Sequence, residues 1–198
     1  MKPSLINYSF CVWVFAVLSM AFVACSKDED DNDAGDAITV TISGLSELAD
    51  SVYLKDHRGE YLARAGVKDD RFSIKFPTPT NLYPAEGLYP QGVTISAPFK
   101  FCIPQIEAFK DGGLVGYIEY GNTAKDNEVY VDLMYVDRDA TVTGSGINGG
   151  YTISFNTNLK KGWNYVAYFE KGQDGDGKDI YEETTTLPGG LKWYFLNY

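Results

Sequence analysis

Alternation of apolar and polar residues with a period of two runs through most of the chain beyond residue 36, and it limits the possible folds more than any other feature. In 71–76, Phe72, Ile74 and Phe76 alternate with charged or polar residues, and the same pattern recurs in 128–136. Successive side chains of a β-strand point to opposite faces, so this period is typical of strands. No segment of ten residues has a convincing helical period. The sequence therefore predicts an all-β chain.

Turn signals separate the predicted strands at intervals of about 8–12 residues, a spacing typical of a sandwich or a barrel. The chain holds 20 Gly, 15 Tyr and 11 Phe, a mix that favours strands and turns. We predict an antiparallel β-sandwich, Ig-like or related, over residues 37–198. Six of the eight prolines fall within 77–104, so a division into two small β subdomains near 77–91 stays open. Only 43–49 and 104–110 allow a single helical turn each.

The N-terminal segment has the features of a secretory signal. Lys2 supplies a positive charge, and residues 10–23 are almost purely apolar. This run of about 14 residues is shorter than the roughly 20 residues that cross a membrane as a helix. It fits the apolar region of a signal peptide instead.

The segment Phe22-Val23-Ala24-Cys25 resembles the lipobox of bacterial lipoproteins, in which the cysteine carries lipid on its sulfur and becomes the mature N-terminus. Phe22 departs from that family, which usually has Leu at this position. The resemblance implies that residues 1–24 are a lipoprotein signal peptide and that Cys25 is lipidated. A simple signal peptide and an uncleaved anchor helix are the alternatives.

Residues 25–36 are predicted to form a disordered acidic tether. Six of the eleven residues after Cys25 are acidic, so the run repels itself and has nothing apolar to bury. The run also resembles the export signal that follows the lipidated cysteine in surface lipoproteins of the Bacteroidota. The resemblance implies a lipid-anchored protein of the outer membrane that faces the cell exterior. A plain solvated linker is the alternative.

Two sets of residues carry further resemblances. The set in the second half consists of Asp137–Gly144, Leu159–Asn164, Thr184–Pro188 and Gly190–Phe195. This set resembles a group of uncharacterised Bacteroidota surface lipoproteins over roughly residues 128–198, and more loosely over the rest. The set in the first half, Val52-Tyr53-Leu54, Gly59 and Phe72, resembles the hairpin pattern of Ig-like or prealbumin-like extracellular modules. The group has no activity that can be carried over, so the resemblance implies class and location only.

Charge and residue types exclude several functions. The net charge of −10 argues against a nucleic-acid partner, because a phosphate backbone needs Lys and Arg. The one histidine, His57, lies in a predicted turn, and Cys102 lies in an apolar run that predicts a buried, unreactive thiol. The adjacent pairs Asp69–Asp70 and Glu182–Glu183 point to opposite faces in a strand, so neither forms a catalytic dyad. We therefore expect no enzyme and no cofactor.

The segment 174–179 contains weak candidates for a metal site, namely Asp174, Asp176 and Asp179. Alternating Asp side chains on a Gly-rich turn can converge on a calcium ion. Against the EF-hand spacing, however, the first ligand position falls on Gly172, and Lys178 brings a positive charge among the carboxylates. We predict a hairpin tip without a tight metal site.

Aromatic residues concentrate on three candidate strands of the second half. Exposed rings stack on sugars or on a partner protein, although rings that fill the core are the simpler interpretation. The predicted function is non-catalytic binding of a glycan or a protein partner at the cell surface. A structural subunit of an envelope or fimbria-like assembly, joined through an edge strand, is the alternative, and a hydrolase is less favoured. The candidate ligand-binding residues are Trp163, Tyr165, Tyr168, Tyr181, Trp193 and Tyr194.

Overall fold

The computed structural model describes residues 37–122, 128–175 and 177–198. The predicted signal peptide (1–24) and the predicted tether (25–36), which contains Cys25, lie outside the described residues, as does Asp176. Within the described residues, fifteen strands and one short helix form, so the all-β prediction is confirmed. The proposed break near 77–91 stays a prediction.

The elements include strands over 71–75 and 129–136, where alternation predicts strands over 71–76 and 128–136. In chain order they are β1 (Ala37–Thr41), α1 (Leu45–Leu48), β2 (Ser51–Lys55), β3 (Tyr61–Gly66), β4 (Arg71–Lys75), β5 (Tyr83–Pro84), β6 (Val93–Ile95), β7 (Lys100–Cys102), β8 (Gln105–Lys110), β9 (Gly113–Asn122), β10 (Val129–Val136), β11 (Ala140–Asn148), β12 (Tyr151–Leu159), β13 (Gly162–Gln173), β14 (Asp179–Thr184) and β15 (Lys192–Asn197).

The strands form a two-stranded sheet, β1–β4, and a large mixed sheet that holds the other thirteen. The main path of the large sheet runs β3-β2-β8-β9-β10-β13-β14-β12-β11-β6, with β15 beside β9 and β7 between β10 and β5. Every pairing in both sheets is antiparallel except that of β12 with β14. This parallel pair arises because β14 inserts between β12 and β13, which follow one another in the chain.

A first core packs β1, β4 and α1 against β2, β8 and β9. The predicted inward set of β4 is buried as expected: Phe72 and Ile74 in the strand and Phe76 just after it. Leu45 of α1 is also fully buried, and Asp70 holds the start of this helix by accepting the backbone N–H groups of Gly44 and Ser46. The helical turn predicted for 43–49 is thus confirmed.

A second core lies on the other face of β10 and packs it against β11, β12 and β13. Leu133 belongs to the first core, whereas the neighbouring Met134 and Val136 belong to the second. Both faces of β10 are therefore buried towards its C-terminal end, which is why the burial of this strand departs from simple alternation. Phe99 and Ala85, from the proline-rich segment, close the second core.

The helical turn that the sequence allowed for 104–110 is wrong, because this segment is strand β8. It pairs with β2 on one edge and β9 on the other, and Ile106 and Ala108 are buried there. Pairing on two edges outweighs local preference. Among the described residues, no helix is long and apolar enough to cross a membrane.

Strand β9 changes partners along one of its edges, and this change opens the sheet. Ile118 pairs with Ile106 of β8, whereas Tyr120 pairs with Val131 of β10. Glu119 lies at the fork between these two pairings. On its other edge β9 is paired continuously with β15, from Gly116 to Gly121.

Candidate functional site

A cavity of about 410 Å³ lies over the second core, and five of its ten lining residues are aromatic. Strands β10, β12, β13 and β14 supply its walls, and the proline-rich segment covers it. We call it the tyrosine pocket. Its lining residues are Leu88, Tyr89, Ile103, Met134, Tyr151, Ile153, Phe155, Tyr168, Tyr181 and Glu183.

Strand register brings the polar and aromatic side chains of the tyrosine pocket together. Tyr181 and Glu183 are two residues apart on β14, so they share one face of the sheet. Glu183 is paired with Phe155 of β12 on one side and with Tyr168 of β13 on the other. One carboxylate therefore lies between two aromatic neighbours in a single cross-strand row.

Glu183 is a buried acid, with only 5% of its surface exposed. Burial raises the pKa of Glu183 to about 7 and the charge of Asp132 adds to the rise, while a hydrogen bond with Tyr168 opposes it. Near neutral pH the Glu183 carboxyl is therefore divided between its ionised and protonated forms. Such a group accepts hydrogen bonds from a ligand when it is ionised.

The aromatic rings of the tyrosine pocket pack edge to face. The centroids of Tyr151 and Tyr181 are 5.2 Å apart at an angle of 72°, and those of Tyr89 and Phe155 are 5.2 Å apart at 86°. The hydroxyl oxygen of Tyr89 is buried and has no hydrogen-bond partner within the described part of the chain. Burial, together with the nearby charge of Glu183, raises the pKa of Tyr89. The Tyr89 hydroxyl is thus a polar group at the pocket that lacks a partner.

A second, smaller cavity of about 140 Å³ fills the fork where β9 leaves β8 for β10, and we call it the fork cleft. Its carboxylates are Glu119, which accepts a hydrogen bond of 2.8 Å from the Tyr194 hydroxyl, and Asp132. Burial raises the pKa of Asp132 to about 6, and the charge of Glu119 adds to the rise. The ring of Tyr120 stacks on that of Trp193, with centroids 4.8 Å apart.

Neither cavity contains a basic side chain. No Lys, Arg or His lines the tyrosine pocket or the fork cleft as the structure describes them. The ion pairs among the described residues join Lys55 to Glu107, Arg138 to Asp137, Lys160 to Asp139 and Lys171 to Glu182. None of these pairs includes Glu119, Asp132 or Glu183. No ion pair of the described residues therefore neutralises the three carboxylates of the two cavities.

Five of the six candidate binding residues from the sequence lie at the tyrosine pocket or the fork cleft. Tyr168 and Tyr181 line the tyrosine pocket, and Tyr165 and Trp193 line the fork cleft. Tyr194 bonds to Glu119 at the edge of that cleft.

Trp163 is placed differently and has a structural role in the first core. Its indole N–H donates a hydrogen bond of 3.1 Å to the carbonyl oxygen of Phe76. The Trp163 ring also packs against the rings of Phe76 and Tyr135, with centroids 5.4 and 5.3 Å away. Trp163 therefore lies outside both cavities.

Sequence reasoning missed the acids of the site and Tyr89. Alternation excludes Glu182 and Glu183 as a dyad because the two side chains point opposite ways, yet the same alternation places Glu183 on the face of Tyr181. That signal was sufficient to find Glu183. Nothing in the proline-rich segment marks Tyr89, which reaches the pocket only through the fold.

The metal candidates make local contacts. The Asp174 carboxylate accepts a hydrogen bond of 2.9 Å from the backbone N–H of Lys178. The Asp179 carboxylate accepts a hydrogen bond of 3.0 Å from the side-chain amide of Gln173. Within 37–122, 128–175 and 177–198, no group of three or more potential metal ligands comes together. With Asp176 outside the described residues, the absence of a metal site stays a prediction.

The other reactive candidates are also accounted for. Cys102 is fully buried, which confirms that part of its prediction, and burial raises the pKa of its thiol to about 11. His57 is exposed in its turn, with its ring centroid 3.7 Å from that of Tyr83.

No family model, no curated protein and no solved structure matches the chain. The chemistry of the two cavities is therefore what points to a function.

Proposed function

We propose that the chain is a lipid-anchored, surface-displayed, non-catalytic binding module that holds a glycan in the tyrosine pocket. The observation that carries this proposal is the cavity of about 410 Å³, lined by four tyrosines and one buried carboxylate. Small-molecule sites typically measure about 300–1,000 Å³ and combine apolar walls with a few polar groups. The tyrosine pocket has this size and this balance.

A sugar fits the side chains of the pocket in two ways. The C–H faces of a sugar ring stack on aromatic rings, which Tyr151 and Tyr181 supply near the mouth and wall of the pocket. Sugar hydroxyls donate to a carboxylate and accept from a phenol, so Glu183 and the unpartnered Tyr89 hydroxyl provide one contact of each kind.

The distribution of carboxylates favours binding over hydrolysis. Glycosidases use two carboxyl groups that flank the same bond. Glu183 is the one carboxylate among the residues that line the tyrosine pocket, while Asp132 lines the fork cleft. Within the lining of the pocket a bound sugar therefore meets one carboxyl group rather than a flanking pair.

Display at the cell surface is supported by the N-terminal sequence. The resemblance to a lipobox implies lipid on Cys25, and several acyl chains hold a domain firmly because each buried methylene adds about 0.8 kcal/mol. An acidic tether of eleven residues after Cys25 reaches at most roughly 36–40 Å when extended. This reach keeps the β-domain clear of the membrane and open to large ligands.

The structural alternative finds support at the ends of the large sheet. β3 and β6 terminate its main path, and Tyr61 of β3 is well exposed. An extended segment of another subunit adds to such an edge through main-chain hydrogen bonds. Self-assembly of the purified chain through one of these edge strands would favour this second function.

A glycan array tests the proposed function with a matched pair of variants. We expect the purified chain to bind a related set of glycans, and Tyr181→Ala to lose at least tenfold in affinity for them. Tyr198→Ala is the control, because that ring is 82% exposed and lies away from the pocket. No bound glycan, or equal binding by Tyr181→Ala, contradicts the proposal.

A further inference from the structure

We propose that the tyrosine pocket selects ligands that carry an ammonium group, either the primary amine of an amino sugar or a quaternary ammonium of the choline type. This inference rests on the proposed function, since it names the chemical class of the ligand at the same site. It is carried by an aromatic cavity whose carboxylate has no counter-charge in the described chain.

The charges on and around Glu183 favour a positively charged ligand. Glu183 faces the pocket, and its bond to Tyr168 is neutral. The charged group that acts on the pKa of Glu183 is a second carboxylate, Asp132, and its negative charge disfavours the ionised form of Glu183. A positive group placed in the pocket is attracted by both acids, whereas a neutral ligand leaves their repulsion unchanged.

The titratable groups around Glu183 are tyrosines and acids on every element that packs against it. Asp132 comes from β10 and Tyr168 from β13, while Tyr151 on β12 and Tyr89 in the proline-rich segment complete the surroundings. Across the sheet the basic residue is Lys171, which is paired with Glu182 at 2.8 Å on the opposite face of β14. The described chain therefore does not neutralise the pocket from within.

The aromatic lining of the tyrosine pocket also favours a cation. A cation over the face of a tyrosine or phenylalanine ring is attracted by the ring quadrupole, and desolvated sites strengthen this attraction to about 2 kcal/mol or more. Four tyrosines and Phe155 surround the cavity. A site that combines several aromatic rings with one carboxylate offers an ammonium group both kinds of attraction.

The negative charge of the whole molecule also favours a cationic ligand. The chain carries a net charge of −10, and Glu119 and Asp132 in the adjacent fork cleft place further negative charge beside the pocket. A cleft of one sign with low-dielectric walls raises the local concentration of oppositely charged ligands. Cationic ligands therefore reach this side of the molecule preferentially.

Proton release on binding follows from the same geometry. The pKa of Glu183 is about 7 in the free protein because of its burial, so part of the population is protonated at neutral pH. A bound ammonium favours the carboxylate and expels that proton. The affinity for a quaternary ammonium, whose own charge does not depend on pH, therefore falls more steeply between pH 8 and pH 5 than the affinity for its neutral counterpart.

Calorimetry with two pairs of probes, each matched in shape and different in charge, tests the assignment. The pairs are choline with 3,3-dimethylbutan-1-ol, which has the same shape without charge, and glucosamine with glucose. The full chain is used in a polyoxyethylene detergent, which contains neither sugar nor ammonium. We expect the cation of at least one pair to bind at least tenfold more tightly than its neutral partner at pH 7.5. Preference in the glucosamine pair assigns an amino sugar, and preference in the choline pair assigns a quaternary ammonium.

Variants separate charge recognition from folding. Glu183→Gln keeps the side-chain size and an acceptor for Tyr168, so we expect the charge preference to fall to within twofold while neutral binding is retained. Asp132→Asn, which lies outside the pocket lining, should weaken the preference by a smaller factor. Melting curves of both variants identify any loss of folded protein.

Equal affinities within both pairs, or no binding of either cation, overturn the ammonium assignment. The same holds if Glu183→Gln keeps the full preference. In these cases the glycan array still decides on its own whether the pocket holds a neutral sugar, so the two proposals fail separately.

Discussion

Glu183 shows how a single buried acid changes the behaviour of a β-domain. Its carboxyl group lies between Phe155 and Tyr168, and burial holds its pKa well above the ordinary value of 4.5. Asp132 behaves in the same way in the fork cleft, with a pKa of about 6. Both groups bind protons more tightly in the folded than in the unfolded chain, so folding stability depends on pH.

Stability is predicted to fall as the pH rises from 5 to 8. Below the unfolded pKa values both acids are protonated in both states, and their contribution is fully present. It is lost as the pH rises through the folded values of about 6 and about 7. A pKa difference of this size for Glu183 corresponds to on the order of 3 kcal/mol. Urea unfolding at pH 5 and pH 8 measures the change.

Amide variants provide the control for this pH dependence. Asp132→Asn and Glu183→Gln remove the titrating groups, so the double variant should lose most of the decline between pH 5 and 8. Asp50, Asp70 and Asp137 have lowered pKa values through their hydrogen bonds, and therefore act at more acidic pH. A double variant with an unchanged pH profile would contradict the account.

Tyr89→Phe is predicted to leave the ligand-free protein equally stable or to stabilise it by about 1 kcal/mol. The buried hydroxyl of Tyr89 has no partner in the described chain, and an unmade hydrogen bond costs roughly 1–3 kcal/mol. Tyr168→Phe is the matched control and should destabilise, because its hydroxyl bonds to Glu183. Chemical denaturation compares the two. A destabilised Tyr89→Phe combined with a neutral Tyr168→Phe would reverse the assignment.

At the scale of elements, the fork in β9 depends on a residue without a side chain. A Cβ atom at Gly121 would lie 2.1 Å from the carbonyl oxygen of Val129 on β10, and this neighbour is backbone, which cannot move aside cheaply. Close pairing of β9 with both β10 and β15 therefore requires glycine at this position.

Gly121→Ala should destabilise the fold by about 1–3 kcal/mol, the usual cost of an overpacked site. Gly189→Ala is the control, since a Cβ atom there meets nothing within 4 Å. We expect the control to change stability by less than about 0.5 kcal/mol. Thermal melts of the two variants measure the difference, and equal melting temperatures would show that the fork tolerates a wider separation.

Strands of the fold were predictable wherever one face is buried, and the site was not. β4 follows from alternation alone, whereas the identity of β8 depends on neighbours from distant parts of the chain. The insertion of β14 between β12 and β13 likewise has no local signal. The pocket unites these strands with Tyr89 from a segment without pattern, so its composition follows only from tertiary pairing.

At the scale of the whole molecule, we propose that lipid on Cys25 anchors the chain and that its β-domain is displayed outside the cell. Cys25→Ala should abolish lipid labelling and leave an unprocessed precursor.

Replacing Asp28, Glu29, Asp30 and Asp31 with Ala should keep lipidation and folding but lower the fraction of protein that added protease reaches on whole cells. Equal accessibility would make the acidic run a plain spacer, and a protected wild-type protein would exclude display.

The central claim is that the tyrosine pocket binds the ligand, and a crystal structure of the complex with the strongest glycan from the array tests it most directly. The account predicts a sugar ring against Tyr151 or Tyr181, with a polar atom within about 3.2 Å of a Glu183 carboxylate oxygen. A ligand seated in the fork cleft or along the edge of β3, with the pocket vacant, would contradict it.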